Sequence, residues 1–198
     1  MEAVTPKRIC VFSGSSRGAI PEYEQAARRL GEVLVERGYA LVYGGASVGL
    51  MAAVANAVLE GGGHVTGVIP EALVQKEVAH TGVSELRVVA SMHERKAVMS
   101  ELADGFVALP GGFGTLEELF EMLTWGQLGL HSKPCGLLNV NGYYDQLIGF
   151  LDFAVEQRFV TLSHRSMLAI DADPQVLVER LERYQAPRLD KWLDSGQT

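Results

Sequence analysis

The chain is poor in cysteine and contains no long apolar run. Its 198 residues include two cysteines, Cys10 and Cys135. They lie far apart without metal-ligand spacing, so we expect buried, reduced thiols rather than a disulfide or a zinc site. No apolar stretch approaches the roughly 18 residues of a membrane span, and residues 1–8 lack the apolar centre of a signal peptide. These absences predict a cytoplasmic protein that makes no contact with a membrane.

The chain also lacks an excess of positive charge. Lysine and arginine number 17 against 24 acidic residues, a formal net charge of −7, and no basic block occurs. A protein that binds a nucleic-acid polymer must neutralise many phosphates, so this balance argues against such a partner. The histidines have no spacing typical of metal ligands, and we predict no metal. Any nucleotide bound here is expected to be small.

The length and the 47% hydrophobic content suit one compact domain with a sizeable core. We place this domain at residues 1–185 and a polar C-terminal tail at 186–198. Apolar, β-branched runs alternate with helical patterns, an order typical of a parallel sheet with helices on both faces. The predicted fold is therefore α/β and doubly wound, with strands at residues 9–12, 41–43, 65–69, 86–89, 106–109 and 135–138.

Helix boundaries are marked by specific residues. A first crossover helix over residues 22–37 ends before Gly38, a residue suited to the left-handed position after a helix. Further helices are predicted at 48–60 and 143–156. Asp173 and Pro174 have the order of an N-cap followed by a first-turn proline, so a last helix begins there.

Three glycine-bearing loops follow predicted strands, at residues 13–18, 44–49 and 111–114. The carboxyl ends of parallel strands share one edge of a sheet, so these loops should converge there. Any one such loop is weak support for a ligand, because tight turns use glycine for backbone reasons alone. None carries a full dinucleotide fingerprint or a P-loop ending. We expect Ser13, Gly44 and Gly45 to contact an anionic ligand.

The third loop belongs to Pro110-Gly-Gly-Phe-Gly-Thr-Leu-Glu-Glu118. Glycines that lead into a helix predicted to start at Thr115 would leave bare amide groups at one helix N-terminus, a cradle for an anion. Thr115 and Glu118 also fit a capping box, in which the glutamate only reaches back to its own helix end. Against this alternative, helical spacing aligns Glu118 with apolar Met122, whereas its acidic neighbours point away.

A second motif, Ser91-Met-His-Glu-Arg-Lys96, follows another predicted strand and opens a helix at the same edge. Arg95 presents a planar, permanently charged donor fork, which suits a phosphate or an adenine edge better than the point charge of Lys96. A solvated basic turn is the alternative interpretation. We favour Arg95 as a ligand-binding residue.

Together these two motifs resemble those of the cytokinin riboside 5′-monophosphate phosphoribohydrolases, also called Lonely Guy proteins. The resemblance covers most of the chain before the tail. It implies a Rossmann-like homodimer, without a cofactor, that hydrolyses the N-glycosidic bond of a nucleoside 5′-monophosphate. The implied substrates are N6-prenylated AMP and AMP, and the products are the free base and ribose 5-phosphate.

The same resemblance assigns roles to individual residues. Arg95 and Glu118 are the implied catalytic residues. Two departures, Phe113 where many relatives have tyrosine and Ala46 where many have a third glycine, affect substrate preference more than reaction class. The predicted substrate contacts, besides those in the first two loops, are Glu77, Met92, Lys96, Gly111, Gly112, Phe113, Gly114, Thr115, Leu116, Glu117 and Thr124.

Two other functions fit parts of the sequence. Proteins of similar fold bind nucleotides or molybdenum cofactor without turnover, so a carrier is one alternative. Relatives have also been labelled lysine decarboxylases, a role that requires pyridoxal phosphate on a Schiff-base lysine. Lys96 is the one lysine that the sequence places at the predicted site.

Overall fold

A single parallel sheet organises the protein. The computed structural model describes residues 7–74 and 79–187. The predicted α/β class and all six predicted strands are confirmed, and a seventh, four-residue edge strand follows them. The strands are β1 (Arg8–Phe12), β2 (Ala40–Tyr43), β3 (Val65–Pro70), β4 (Glu85–Val89), β5 (Gly105–Ala108), β6 (Cys135–Leu138) and β7 (Leu168–Asp171).

Helices connect the strands, and the end of the first helix and the start of the last follow the predicted signals. Gly38 has a φ of 73° immediately after the first helix, and the Asp173 side chain accepts from the amides of Gln175 and Val176. A short 3-10 helix also occurs at Val140–Gly142. The α-helices are α1 (Pro21–Glu36), α2 (Gly49–Glu60), α3 (Glu71–Val74), α4 (Met92–Leu102), α5 (Phe113–Gln127), α6 (Asp145–Glu156), α7 (Leu162–Arg165) and α8 (Pro174–Glu182).

The strand order β4-β3-β2-β1-β5-β6-β7 reverses direction at the centre of the sheet. The chain builds outward from β1 to β4 and then crosses back to place β5 on the other side of β1. Such a switch point opens a crevice at the carboxyl ends of the two central strands. The loops after β1 and β5 therefore flank the natural binding position of this fold.

Two apolar cores cover the two faces of the sheet. Along β1, Ile9 and Val11 pack in one core with α1, α2 and α8, while Cys10 and Phe12 pack in the other with α4 and α5. This alternation follows from the two-residue period of a strand. Cys10 and Cys135 are both buried and free, as predicted.

Two predictions fall wholly or mainly outside the described residues. Glu77, an expected substrate contact, is one of them, and most of the predicted tail at 186–198 is the other. The division into a domain and a tail therefore stays a prediction. Among the residues that the structure describes, none of the helices has the length and apolar character needed to cross a membrane.

Candidate active site

The three glycine loops meet at the switch point. The Gly14 amide, after β1, donates to the Pro110 carbonyl, after β5, at 3.0 Å, and the Leu50 amide donates to the Gly14 carbonyl at 3.0 Å. Gly49 has a φ of 58° and lies against the Ser15 backbone, where a Cβ would come within 2.3 Å of the Ser15 carbonyl carbon. The predicted convergence of the loops is confirmed.

A cleft of about 270 Å³ opens where these loops meet α4 and α5. Its walls combine backbone from the glycine loops with one basic and two acidic side chains. Of the residues predicted from the sequence, those that line the cleft are Ser13, Gly44, Met92, Arg95, Gly112, Phe113, Gly114, Thr115, Glu117 and Glu118.

Helix α5 begins at Phe113 with Gly112 as its N-cap, two residues earlier than the sequence predicted. Among the described residues, no side chain caps this end. The first amides of a helix have no acceptor within the helix, so they remain available to an anion at this point. The Ser13 hydroxyl is buried at the same cleft and has no hydrogen-bond partner within residues 7–74 and 79–187. The same cleft is thus lined by uncharged donors from two loops, a combination that favours a phosphate.

The capping-box alternative for Glu118 is wrong. Because α5 starts at Phe113, Glu118 lies in its second turn, and its side chain points to Arg95 instead of the helix end. Arg95 Nη1 is 3.5 Å from Glu118 Oε1, and the two side chains are only 11% and 10% exposed. The structure therefore places a buried carboxylate and a buried guanidinium side by side in the cleft.

Arg95 is positioned by two further elements. Ser91 caps α4 by accepting from the Glu94 amide, which begins the helix so that Arg95 is one turn inside it. The Arg95 Nε donates to the Val68 carbonyl, within β3, at 3.1 Å. The alternative of a solvated basic turn is therefore wrong for this residue.

The electrostatics of Glu118 suit a catalytic acid or base. Burial raises its pKa, because desolvation disfavours the charged form, and the nearby Arg95 guanidinium opposes this rise. Perturbed carboxyls in clefts are typical of functional sites. A carboxylate held this way can stabilise positive charge that develops beside it, or orient a water molecule for attack.

Lys96 lies beside this pair but forms ion pairs with two other acidic residues. Its amine forms ion pairs with Glu117 and Glu121, the latter at 3.0 Å, and its side chain is largely buried. The hydrogen bond that Lys96 Nζ donates to the Glu117 carboxylate raises the pKa of Lys96. Its amine is therefore held as a cation that neutralises two carboxylates next to Glu118.

Four other predicted contacts lie away from the cleft. The Gly111 carbonyl accepts from the Tyr143 hydroxyl at 2.7 Å, in an adjoining cavity. Leu116 packs against the core. Thr124 Oγ1 donates to the Phe120 carbonyl and lines a separate groove. The Gly45 carbonyl accepts from the His80 amide at 2.8 Å.

Sequence reasoning did not single out Met51, which also lines the cleft. It lies in the first turn of α2, directly after the second glycine loop. The glycine loop located this helix start, but an apolar residue within an apolar helix gives no signal of its own. Met51, Met92 and the 94%-exposed Phe113 supply apolar surface around the charged pair.

Comparisons with known proteins identify the family of this chain. Residues 51–181 match the protein family described as "Possible lysine decarboxylase". A probable cytokinin riboside 5′-monophosphate phosphoribohydrolase of Oryza sativa subsp. japonica is 53% identical over 185 residues, which are 93% of this chain and 74% of the relative. A cytokinin riboside 5′-monophosphate phosphoribohydrolase of Arabidopsis thaliana is 52% identical, with 93% of this chain and 85% of the relative covered.

Among solved structures, a molybdenum cofactor binding protein from Rippkaea orientalis superposes with a TM-score of 0.69 at 22% identity. The match covers 91% of this chain and 98% of that protein. At this identity the similarity concerns the fold alone. The identities above 50% over most of both chains carry the stronger conclusion: the chain belongs to the family of cytokinin riboside 5′-monophosphate phosphoribohydrolases.

Proposed function

We propose that this protein hydrolyses the N-glycosidic bond of adenosine 5′-monophosphates, including N6-prenylated ones, to release the free base and ribose 5-phosphate. The observation that carries the proposal is the buried Arg95–Glu118 pair beside the uncapped start of α5. A phosphate held at that helix end places the attached ribose near the Glu118 carboxylate. Membership of the phosphoribohydrolase family supports the same reaction.

The cleft offers a distinct chemical environment for each part of a mononucleotide. The amides at the start of α5 and the Ser13 hydroxyl suit the phosphate. The Glu118 carboxylate can accept hydrogen bonds from the ribose hydroxyls. Met51, Met92 and Phe113 provide apolar surface for the base. The prediction that these residues contact substrate rests on this correspondence.

In the proposed mechanism the bond between C1′ and the base nitrogen breaks while a water oxygen bonds to C1′. Positive charge builds on the ribose, and the Glu118 carboxylate stabilises it and orients the water. The water supplies the proton that balances charge on the departing base. Arg95 positions the nucleotide and stabilises the negative charge that develops on the base.

Incubation of the purified protein with AMP and isopentenyl-AMP, followed by chromatography, tests the proposal. We expect free adenine and free isopentenyladenine together with ribose 5-phosphate. A nucleotide carrier would bind without releasing base, so tight binding with no product would favour that alternative. Specificity constants for AMP, CMP, GMP and isopentenyl-AMP would then define the base preference.

The environment of Lys96 argues against lysine decarboxylation. A Schiff base forms from an unprotonated amine, whereas the Lys96 amine is held as a cation by Glu117 and Glu121. The amine of a second lysine, Lys133, does not line the cleft, and its Nζ donates to the Ser100 carbonyl at 2.7 Å. Visible absorbance from a bound cofactor, abolished by Lys96→Ala, would contradict this conclusion.

We expect Lys96 to extend the pH range in which the enzyme works toward lower pH, because its charge lowers the pKa of Glu118. As pH falls, the Glu118 carboxylate takes up a proton, and its raised pKa moves this loss of activity above the range of an ordinary glutamate. Replacing Lys96 with methionine removes a nearby positive charge and leaves Glu117 and Glu121 uncompensated. The acid limb of the pH–kcat/KM profile should therefore move to higher pH.

The control for this shift is Lys7→Met. Lys7 is exposed and lies just before β1, at the end of that strand that is opposite to the cleft. The substrate phosphate titrates near pH 6 in every variant and cannot produce a difference between them. An acid limb that stays in place, or moves to lower pH, in Lys96→Met would contradict the role given to Lys96.

We propose that the protein is a homodimer, as the family resemblance implies, and that it works in the cytoplasm. Large apolar side chains of α6 and α7 and the turn between them, Phe150, Phe153, Phe159 and Leu162, are between 53% and 89% exposed, which supports an association surface. The buried, free thiols support a reducing compartment.

Light scattering tests the homodimer. It should give twice the mass of the chain, and Phe153→Lys should shift the measured mass toward that of the monomer. A monomeric wild-type protein would contradict the proposal.

A further inference from the structure

Gly44 occupies the space beside the Arg95 guanidinium at the end of β2. A Cβ built on Gly44 would lie 2.0 Å from Arg95 Nη2 and 3.2 Å from its Cζ. The first separation is far shorter than a non-bonded contact allows, and the second is tighter than most Cβ contacts. Any side chain at position 44 is therefore incompatible with the observed position of Arg95.

The backbone of Gly44 does not itself require glycine. Its φ lies outside the left-handed region, in contrast to Gly45, whose φ is 75°. Glycine is therefore required at the two adjacent positions for different physical reasons. Gly45 adopts a left-handed backbone conformation, whereas Gly44 leaves room for a neighbouring side chain. The atoms that a Cβ at 44 would meet belong to the ends of flexible side chains, Arg95 and Met51, and not to backbone.

Arg95 makes three contacts on its other sides. Its Nε donates to the Val68 carbonyl, and its Nη1 faces Glu118 and the Met92 sulfur. The open side toward Gly44 lets the planar fork reach both the carbonyl and the carboxylate. A methyl group there would push the guanidinium toward the cleft and break this geometry.

We propose that Gly44 is a positioning residue for catalysis, which acts by leaving space for the Arg95 guanidinium and not by binding substrate. The inference rests on the proposed function and deepens it. Misplacement of a catalytic group by about 1 Å costs on the order of 100-fold in rate. Gly44→Ala is therefore expected to lower kcat for AMP hydrolysis about 10- to 100-fold, with a smaller change in KM and little change in Tm.

A double-mutant cycle separates this effect from a general loss of structure. Arg95→Lys removes the Nη2 atom that conflicts with position 44, so adding Gly44→Ala to it should cause no further loss of its residual activity. Gly82→Ala, in an exposed turn where the new methyl would meet only the His80 ring, is the control and should keep wild-type activity.

Wild-type activity in Gly44→Ala, or an equal loss with and without Arg95→Lys, would overturn the inference. A crystal structure of Gly44→Ala provides a measurement that needs no activity. We expect the contact from Arg95 Nε to the Val68 carbonyl to be broken there, and an unmoved guanidinium would overturn the inference. Absence of base release by the wild-type protein would instead reject the proposed function, and the crystallographic result would stand on its own.

Discussion

Replacing Glu118 with alanine is expected to reduce kcat for base release by roughly 100- to 1,000-fold while AMP still binds. Removal of one well-placed electrostatic partner of a transition state costs about 3 to 4 kcal/mol. The proposed phosphate donors at the start of α5 are backbone amides and are unaffected by the substitution, so the dissociation constant for AMP should change little. Single-turnover kinetics and equilibrium binding measure the two quantities separately.

A neighbouring acidic residue, Glu121, provides a matched control for Glu118→Ala. Glu121 lies on the same helix, three residues further along, and pairs with Lys96 instead of Arg95. Glu121→Gln should retain activity within a few-fold of wild type, because its carboxylate does not line the cleft. Full activity in Glu118→Ala would reject Glu118 as a catalytic residue. Equal losses in both variants would indicate a general electrostatic effect of the acidic cluster.

Replacing Arg95 with methionine should lower kcat/KM for AMP by roughly 100- to 1,000-fold, through two effects. The departing base loses its cationic partner. In addition, the pKa of Glu118 rises further, because Arg95 is the largest influence that lowers it. The acid limb of the pH–rate profile should therefore move to higher pH in the same variant.

Arg95→Lys tests whether charge alone is sufficient. Lysine keeps the positive charge, but a single amine cannot contact the Val68 carbonyl and Glu118 with the geometry of a planar fork. We expect kcat/KM to remain well below wild type, while the acid limb stays closer to its wild-type position than in Arg95→Met. Arg28→Met, on the exposed surface of α1, is the control. Wild-type activity in Arg95→Lys would show that the fork is not required.

Local patterns in the sequence predicted much of the fold. The alternation of apolar runs with helical spacing identified six strands of the seven-stranded sheet, and Gly38 and Asp173 marked helix ends correctly. These signals depend on residues within a few positions of one another, so they can be recognised without tertiary structure. The four-residue edge strand β7 was not predicted from the sequence.

The start of α5 shows where local reasoning is insufficient. Thr115 and Glu118 have the spacing of a capping box, yet the helix begins at Phe113 and leaves its end uncapped. We infer that the loop after β1 contributes to this early start, because the Gly14 amide donates to the Pro110 carbonyl just before the helix. A hydrogen bond between residues 96 positions apart has no signature in either segment alone.

The sequence by itself determined the parallel α/β architecture, the sheet edge that carries the glycine loops, and Glu118 as the sheltered acid of its helix. Helical and strand periodicity, together with cap residues, are sufficient for these conclusions. Only the tertiary structure decided which charges pair: Arg95 with Glu118 and the Val68 carbonyl, and Lys96 with Glu117 and Glu121. Pairing depends on the packing of separate elements, and the same packing buries Glu118 enough to raise its pKa.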